Sequence, residues 1–187
     1  RLVDRHGLHL PWRLAVAMII FWLLARFFGQ RLPTSKKARR MALLSGVFLG
    51  FDLALWHESI YAVGPGIATL LNSLQIFFLS AIGFFWFGEK LNKLQMVSLI
   101  IAVSGVALIA SPEFGHNHDA VWGFVSGIVS GSMLALSMIF IRKSHEEGHA
   151  ALFPMMMLVS AGGMAAMVLP SLIFNFDSLY PTTWRDV

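Results

Sequence analysis

Gly64 to Leu91 reads GPGIATLLNSLQIFFLSAIGFFWFGEKL. The stretch opens on a Gly-Pro-Gly break, carries no charged side chain until Glu89, and closes on Gly88 and Glu89. A bilayer core about 30 Å thick needs roughly 20 apolar residues in one helix, so Gly64 to Phe87 reads as a membrane span. Five further stretches pass the same test: Leu10 to Phe28, Met41 to Ile60, Leu94 to Ala110, Ala120 to Ile141 and Ala150 to Phe174. Short polar or Gly/Pro breaks separate them, and no loop is long enough for a soluble domain. The expected fold is all-α and polytopic, with six transmembrane helices.

Composition agrees with that reading. Of 187 residues 57% are apolar and 13% charged, against about 45–50% and 25% in soluble domains. The mean hydropathy is +0.70. These values exclude a water-soluble globule and a disordered chain. With no cysteine, there is no disulfide frame and no thiolate nucleophile or ligand. Basic residues before Leu10 imitate a signal peptide, but Arg26 interrupts the far end and no small-residue cleavage site follows.

The formal charge of +4 would suit a nucleic-acid partner if the basic residues formed one patch. They flank the spans instead. Alternation places Arg26, Arg31, Lys36, Lys37, Arg39, Arg40, Lys90, Lys93, Arg142 and Lys143 on one side, and Arg1, Arg5, Arg13 and Arg185 on the other. The positive-inside rule makes the first set cytoplasmic and puts both ends of the chain on the non-cytoplasmic side. The expected location is a bacterial cytoplasmic membrane, with the lipid bilayer as partner and no nucleic acid. A chain that starts outside with Arg1 and no leader needs an earlier span, so a missing helix before Arg1 is expected.

Three features occur in order between Gly46 and Ser111. The run Gly66-Ile67-Ala68-Thr69-Leu70-Leu71 starts a helix with small residues; Gly88-Glu89-Lys90-Leu91 ends it; Gly105-Val106-Ala107-Leu108-Ile109 closes the next span. Together they resemble the EamA-type transporters of the drug/metabolite transporter superfamily. The likeness resumes at Trp122-Gly123, where Gly123 to Lys143 looks like the first helix of a second repeat. Family members usually have ten helices in two inverted five-helix repeats. The resemblance therefore implies helices two to seven: residues 1–111 as a first repeat lacking its first helix, and 119–187 as the start of a second. It also implies three helices after Val187. At Gln75-Ile76 the chain departs from the Ser-Pro that members often carry in the fourth helix.

Ionisable groups inside a span are costly, which makes each a functional candidate. Asp52 lies mid-span, and at 100° per residue Ser45, Trp56 and Ser59 fall within about 40° of it. This polar stripe faces away from lipid. One reading is a cavity wall in which Asp52 accepts a proton or pairs with a cationic group beside the Trp56 ring; the other is a bond to a neighbouring helix. Thr69, Asn72, Ser73 and Gln75 form a second polar sector, and the amides of Asn72 and Gln75 offer donors and acceptors without a fixed charge. The expected solute-binding set is Asp52, Trp56, Asn72 and Gln75. His57 and Glu58, nearer the outer end of the same helix, and Glu89, beside Lys90 and Lys93, are candidates for gating or proton relay.

Gly46 and Gly50, and Gly123, Gly127, Gly131 and Ala135, recur every fourth residue. Such small faces let two helices approach closely, within one chain or in a homodimer. His145-Glu146-Glu147-Gly148-His149 matches the H-E-x-x-H zinc pattern in letters. It falls in an expected cytoplasmic turn and contains Gly148. His116-Asn117-His118-Asp119 sits in an outer loop. The expectation is no metal, no cofactor, no catalytic residue and no enzyme, with the small-molecule solute as partner. The competing classes are an intramembrane metalloenzyme using His145, Glu146 and His149, and a non-transporting scaffold held by its glycine faces.

Overall fold

The computed structural model describes residues 9–88, 92–110, 119–148 and 151–174. Among them every regular element is helical: α1 (His9–Phe27), α2 (Lys36–Asn72), α3 (Gln75–Phe87), α4 (Lys93–Ala110), α5 (Ala120–Gly148) and α6 (Leu152–Phe174). Two stretches of the described residues are long and apolar enough to cross a membrane, Lys36–Phe85 and Ala120–Gly148. On α4, Leu94, Ile100, Ile101 and Leu108 are each about two-thirds exposed or more, an apolar surface that suits lipid.

Helix ends follow local chemistry more closely than the expected loops did. The expected break from Tyr61 to Gly66 narrows to Gly64, the non-helical residue inside α2 (φ 83°, ψ 161°). Pro65 disfavours the helical region for the residue before it, and only glycine enters this positive-φ conformation without strain. The expected turn from Arg142 to His149 is corrected to helix as far as Gly148. Nothing in it breaks a helix before Gly148, and Arg142 pairs with Glu146 one turn on (3.1 Å). At Gly88 (φ 67°) a left-handed cap ends α3, its N–H donating to the Gly83 carbonyl.

The third expected span, Gly64 to Phe87, is two helices. It is interrupted at Ser73 and Leu74, where the backbone tightens: Leu74 N–H donates to the Leu71 carbonyl (3.0 Å) and Phe77 N–H to the Leu74 carbonyl (2.9 Å). Thr69 and Ser73 hydroxyls donate back to the carbonyls of Pro65 (2.7 Å) and Thr69 (2.9 Å). Such back-bonding competes with the helical ladder and bends it.

The described residues belong to two compact units. The first comprises Arg1–Gly50 with Phe140–Val187. Here α1 packs on α6, and the small residues of α2 meet those of α6. A Cβ on Gly46 would collide with the Val159 carbonyl and lie 2.9 Å from the Gly162 Cα; one on Gly50 would lie 2.9 Å from the Gly163 carbonyl. Gln30 Oε1 accepts from Phe153 N–H (3.2 Å), satisfying a donor in the first turn of α6. Phe28 stacks on Phe153 with ring centroids 5.4 Å apart.

The second unit is Phe51–Ile139. Its core gathers Val63, Leu71, Ala120 and Phe124. The α5 glycines lie flush against α2 and the start of α3: a Cβ on Gly123 would meet Ala62 and Val63, one on Gly127 would meet Ser59 and Leu71, and one on Gly131 would lie 3.0 Å from the Asn72 carbonyl. Both glycine faces legible in the sequence are therefore used inside the chain.

Candidate functional site

Asp52 and Ser59 are buried on one face of α2, and Trp56 between them is partly buried. Burying a carboxylate in a span requires a partner, and Ser130 of α5 supplies one: its hydroxyl donates to Asp52 Oδ1 at 2.5 Å. Ser59 Oγ donates to the Gly123 carbonyl (2.7 Å), fixing the same two helices two turns away. Of the two expected readings of this stripe, the bond to a neighbouring helix is the one present at Asp52.

Gly131 follows Ser130, and its missing side chain brings α5 against the backbone of Leu71, Asn72 and Gln75. Consecutive residues of α5 therefore touch Asp52 on one side and the interruption between α2 and α3 on the other. Asn72 and Gln75 flank that interruption. Three buried polar atoms in this region have no hydrogen-bond partner from the described protein: Trp56 Nε1, Asn72 Oδ1 and Gln75 Oε1. Each such atom costs on the order of 1–3 kcal/mol when left unpaired. All three belong to residues expected from sequence to bind solute.

His57 and Glu58 are partly buried. The His57 ring meets Trp56 edge to face at 5.3 Å, and its Nδ1 lies 2.8 Å from the Leu53 carbonyl, to which it donates. Glu89 lies outside the described residues, as do His149 and the pair His116 and His118. On the last turns of α5, Glu146 is engaged by Arg142 and Glu147 by Lys37, beside a cavity of about 370 Å³ lined by Lys37, Met41, Lys143, Glu146 and Glu147. No group of three metal-ligating His, Asp or Glu side chains occurs among the described residues.

Sequence reasoning missed Ser130. The available signal was the recurrence of Ser126, Ser130, Ser137 and Ser144 at four- and seven-residue spacing on an apolar helix, and all four are buried. It also missed the interruption at Ser73 and Leu74, which has neither glycine nor proline to announce it.

Long apolar helices, with a buried carboxylate and an interruption within an apolar stretch, are features of helical membrane proteins. The chain belongs to the EamA-like transporter family, whose profile matches residues 10–111. It is 29% identical over 156 residues to a protein of Escherichia coli (strain K12) named "Probable amino-acid metabolite efflux pump", covering 80% of this chain and 52% of that one. It is 25% identical over 175 residues to "Pseudopaline exporter CntI" of Pseudomonas aeruginosa, covering 94% of this chain and 58% of that one. The chain thus spans about half the length of these relatives. No solved structure matches it.

Proposed function

We propose that the full-length protein is a secondary transporter that exports a small polar or amphipathic metabolite across the bacterial cytoplasmic membrane, and that it is not an enzyme. The observation that carries this reading is the trio of unpaired buried atoms on Trp56, Asn72 and Gln75 beside the Asp52 and Ser130 pair. A purely structural polar cluster would satisfy its own groups, whereas a binding site leaves them for the solute. The name of the Escherichia coli relative supports export of an amino-acid metabolite, and that of the Pseudomonas aeruginosa relative supports export.

The proposed architecture has six spans in this chain. Residues 1–111 are the first repeat without its first helix, and 119–187 begin an inverted second repeat. Alternating access between the repeats would carry the solute past the midplane, where transporters of this type place their site on interrupted helices. The excess of basic residues around Arg31–Arg40 and at Arg142 and Lys143 supports a cytoplasmic location for the start of α2 and the end of α5, with both ends of the chain opposite. Proton coupling through Asp52 is part of the proposal.

The test is solute flux in proteoliposomes containing the full-length protein. Protein-dependent efflux of labelled amino acids or their derivatives, driven by an imposed pH gradient and lost in Asp52→Asn, is the expected result. Absence of flux for every solute in a broad metabolite panel overturns the transporter reading; proton-driven flux that survives Asp52→Asn overturns the coupling.

A further inference from the structure

We infer that the cluster at the α2–α3 interruption recognises the ammonium group of its solute and discriminates against a free carboxylate; this rests on the transporter reading above and names its substrate class. The inference comes from counting donors and acceptors. Asp52 is an acceptor with one of its lone-pair positions taken by Ser130, and Asn72 Oδ1 and Gln75 Oε1 are unpaired acceptors. Three acceptor groups match the three N–H donors of a primary ammonium. Trp56, one turn from Asp52 on α2, adds an aromatic face that attracts a cation when water is excluded.

Charge points the same way. The partner that the protein gives the buried Asp52 is a hydroxyl, which does not neutralise a carboxylate. Within residues 51–139 the described basic side chains are His57 and Lys93. The His57 Nδ1–H is committed to the Leu53 carbonyl, and Lys93 is exposed at the start of α4. A solute ammonium would supply the missing positive charge. A solute carboxylate would face the like charge of Asp52, against which Trp56 Nε1–H and the amide NH2 groups of Asn72 and Gln75 are neutral donors. Amines, amides and esters of amino acids should therefore bind at least as well as the free zwitterions, and the corresponding acids should not bind.

Isothermal titration of the detergent-purified full-length protein with four probes that share the isobutyl group of leucine tests this: 3-methylbutylamine, leucinamide, leucine and 4-methylpentanoate. We expect the amine and the amide to bind at least tenfold more tightly than 4-methylpentanoate, with leucine no tighter than leucinamide. Asp52→Asn should weaken amine binding at least tenfold. Asn72→Leu and Gln75→Leu should weaken it several-fold, while Asn72→Asp, which presents oxygen whichever way the group turns, should retain it. Equal or tighter binding of the acid, amine binding unchanged in Asp52→Asn or in both Leu variants, or no binding by any probe overturns the inference. Proteoliposome flux of the same four compounds and of glycerol separates the two readings. Flux without preference for the ammonium-bearing probes overturns ammonium recognition alone, and no flux of any compound overturns the transporter reading itself.

Discussion

The Ser130 hydroxyl donates to the Asp52 carboxylate across 78 residues of sequence, and both side chains are almost completely buried. Hydrogen bonds to charged groups contribute about 1.5–3 kcal/mol, and removing one partner leaves the other to bear its desolvation alone. Ser130→Ala should lower the stability of the full-length protein by about 1–3 kcal/mol. Asp52→Asn, which keeps an acceptor for Ser130 but no charge, should fold normally and lose proton-driven flux. Thermal unfolding in detergent, read by loss of the monodisperse elution peak, checks the first; flux under a pH gradient checks the second. A Ser130→Ala protein as stable as the wild type would show that the bond carries no net stabilisation.

Glycine substitutions should separate close approach from mere helical location. A methyl group on Gly46 meets the backbone of Val159 and Gly162, which cannot move aside as a side-chain tip can. Gly46→Ala should destabilise by about 1–3 kcal/mol, the usual range for overpacking. Gly105, helical in α4 with nothing within 4 Å of the added atom, should tolerate the same change or gain slightly from it. Melting temperatures of the two variants, compared with wild type, decide the matter, and equal losses at both positions would contradict the packing described.

The basic end of α2 meets the end of α5 through two contacts of different value. Lys37 pairs with Glu147 at an exposed site. Buried Ser144 donates to the Ala38 carbonyl at 2.7 Å. Exposed ion pairs contribute about 0–1 kcal/mol and weaken with salt, whereas a buried hydrogen bond contributes about 0.5–1.5 kcal/mol with no such dependence. Ser144→Ala should therefore cost more than Lys37→Ala, and only the Lys37 variant should approach wild-type stability as sodium chloride rises. Thermal melts at low and high salt measure this ordering; the reverse order would refute it.

The letters H-E-x-x-H from His145 to His149 should carry no metal chemistry, since Glu146 is engaged by Arg142 on an exposed helix end. Elemental analysis of the purified full-length protein should find well below one zinc per chain, and Glu146→Gln should leave solute flux unchanged. Stoichiometric zinc that disappears in His145→Ala would reinstate the metalloenzyme class.

Much of the candidate site was legible because polar residues in apolar spans are conspicuous. Asp52, Asn72 and Gln75 stand out by cost alone, and the Ser45, Asp52, Trp56 and Ser59 stripe follows from helical periodicity. The kink at Gly64 is equally local, since Pro65 restricts the residue before it. Apolar length, charge placement and these local rules determined the helical membrane class and the main candidates.

Only the tertiary structure chose the partners. Periodicity shows which face of α5 carries Ser130 and Gly131, but not that α5 lies between Asp52 and the interruption at Ser73 and Leu74. Nor does it show that Gly46 meets Gly162 rather than lipid or another chain. Contacts between helices depend on which small residues let two backbones approach and which buried polar groups remain to be satisfied. Both are properties of pairs of helices, so each helix read by itself displays the half that it contributes and leaves the other half open.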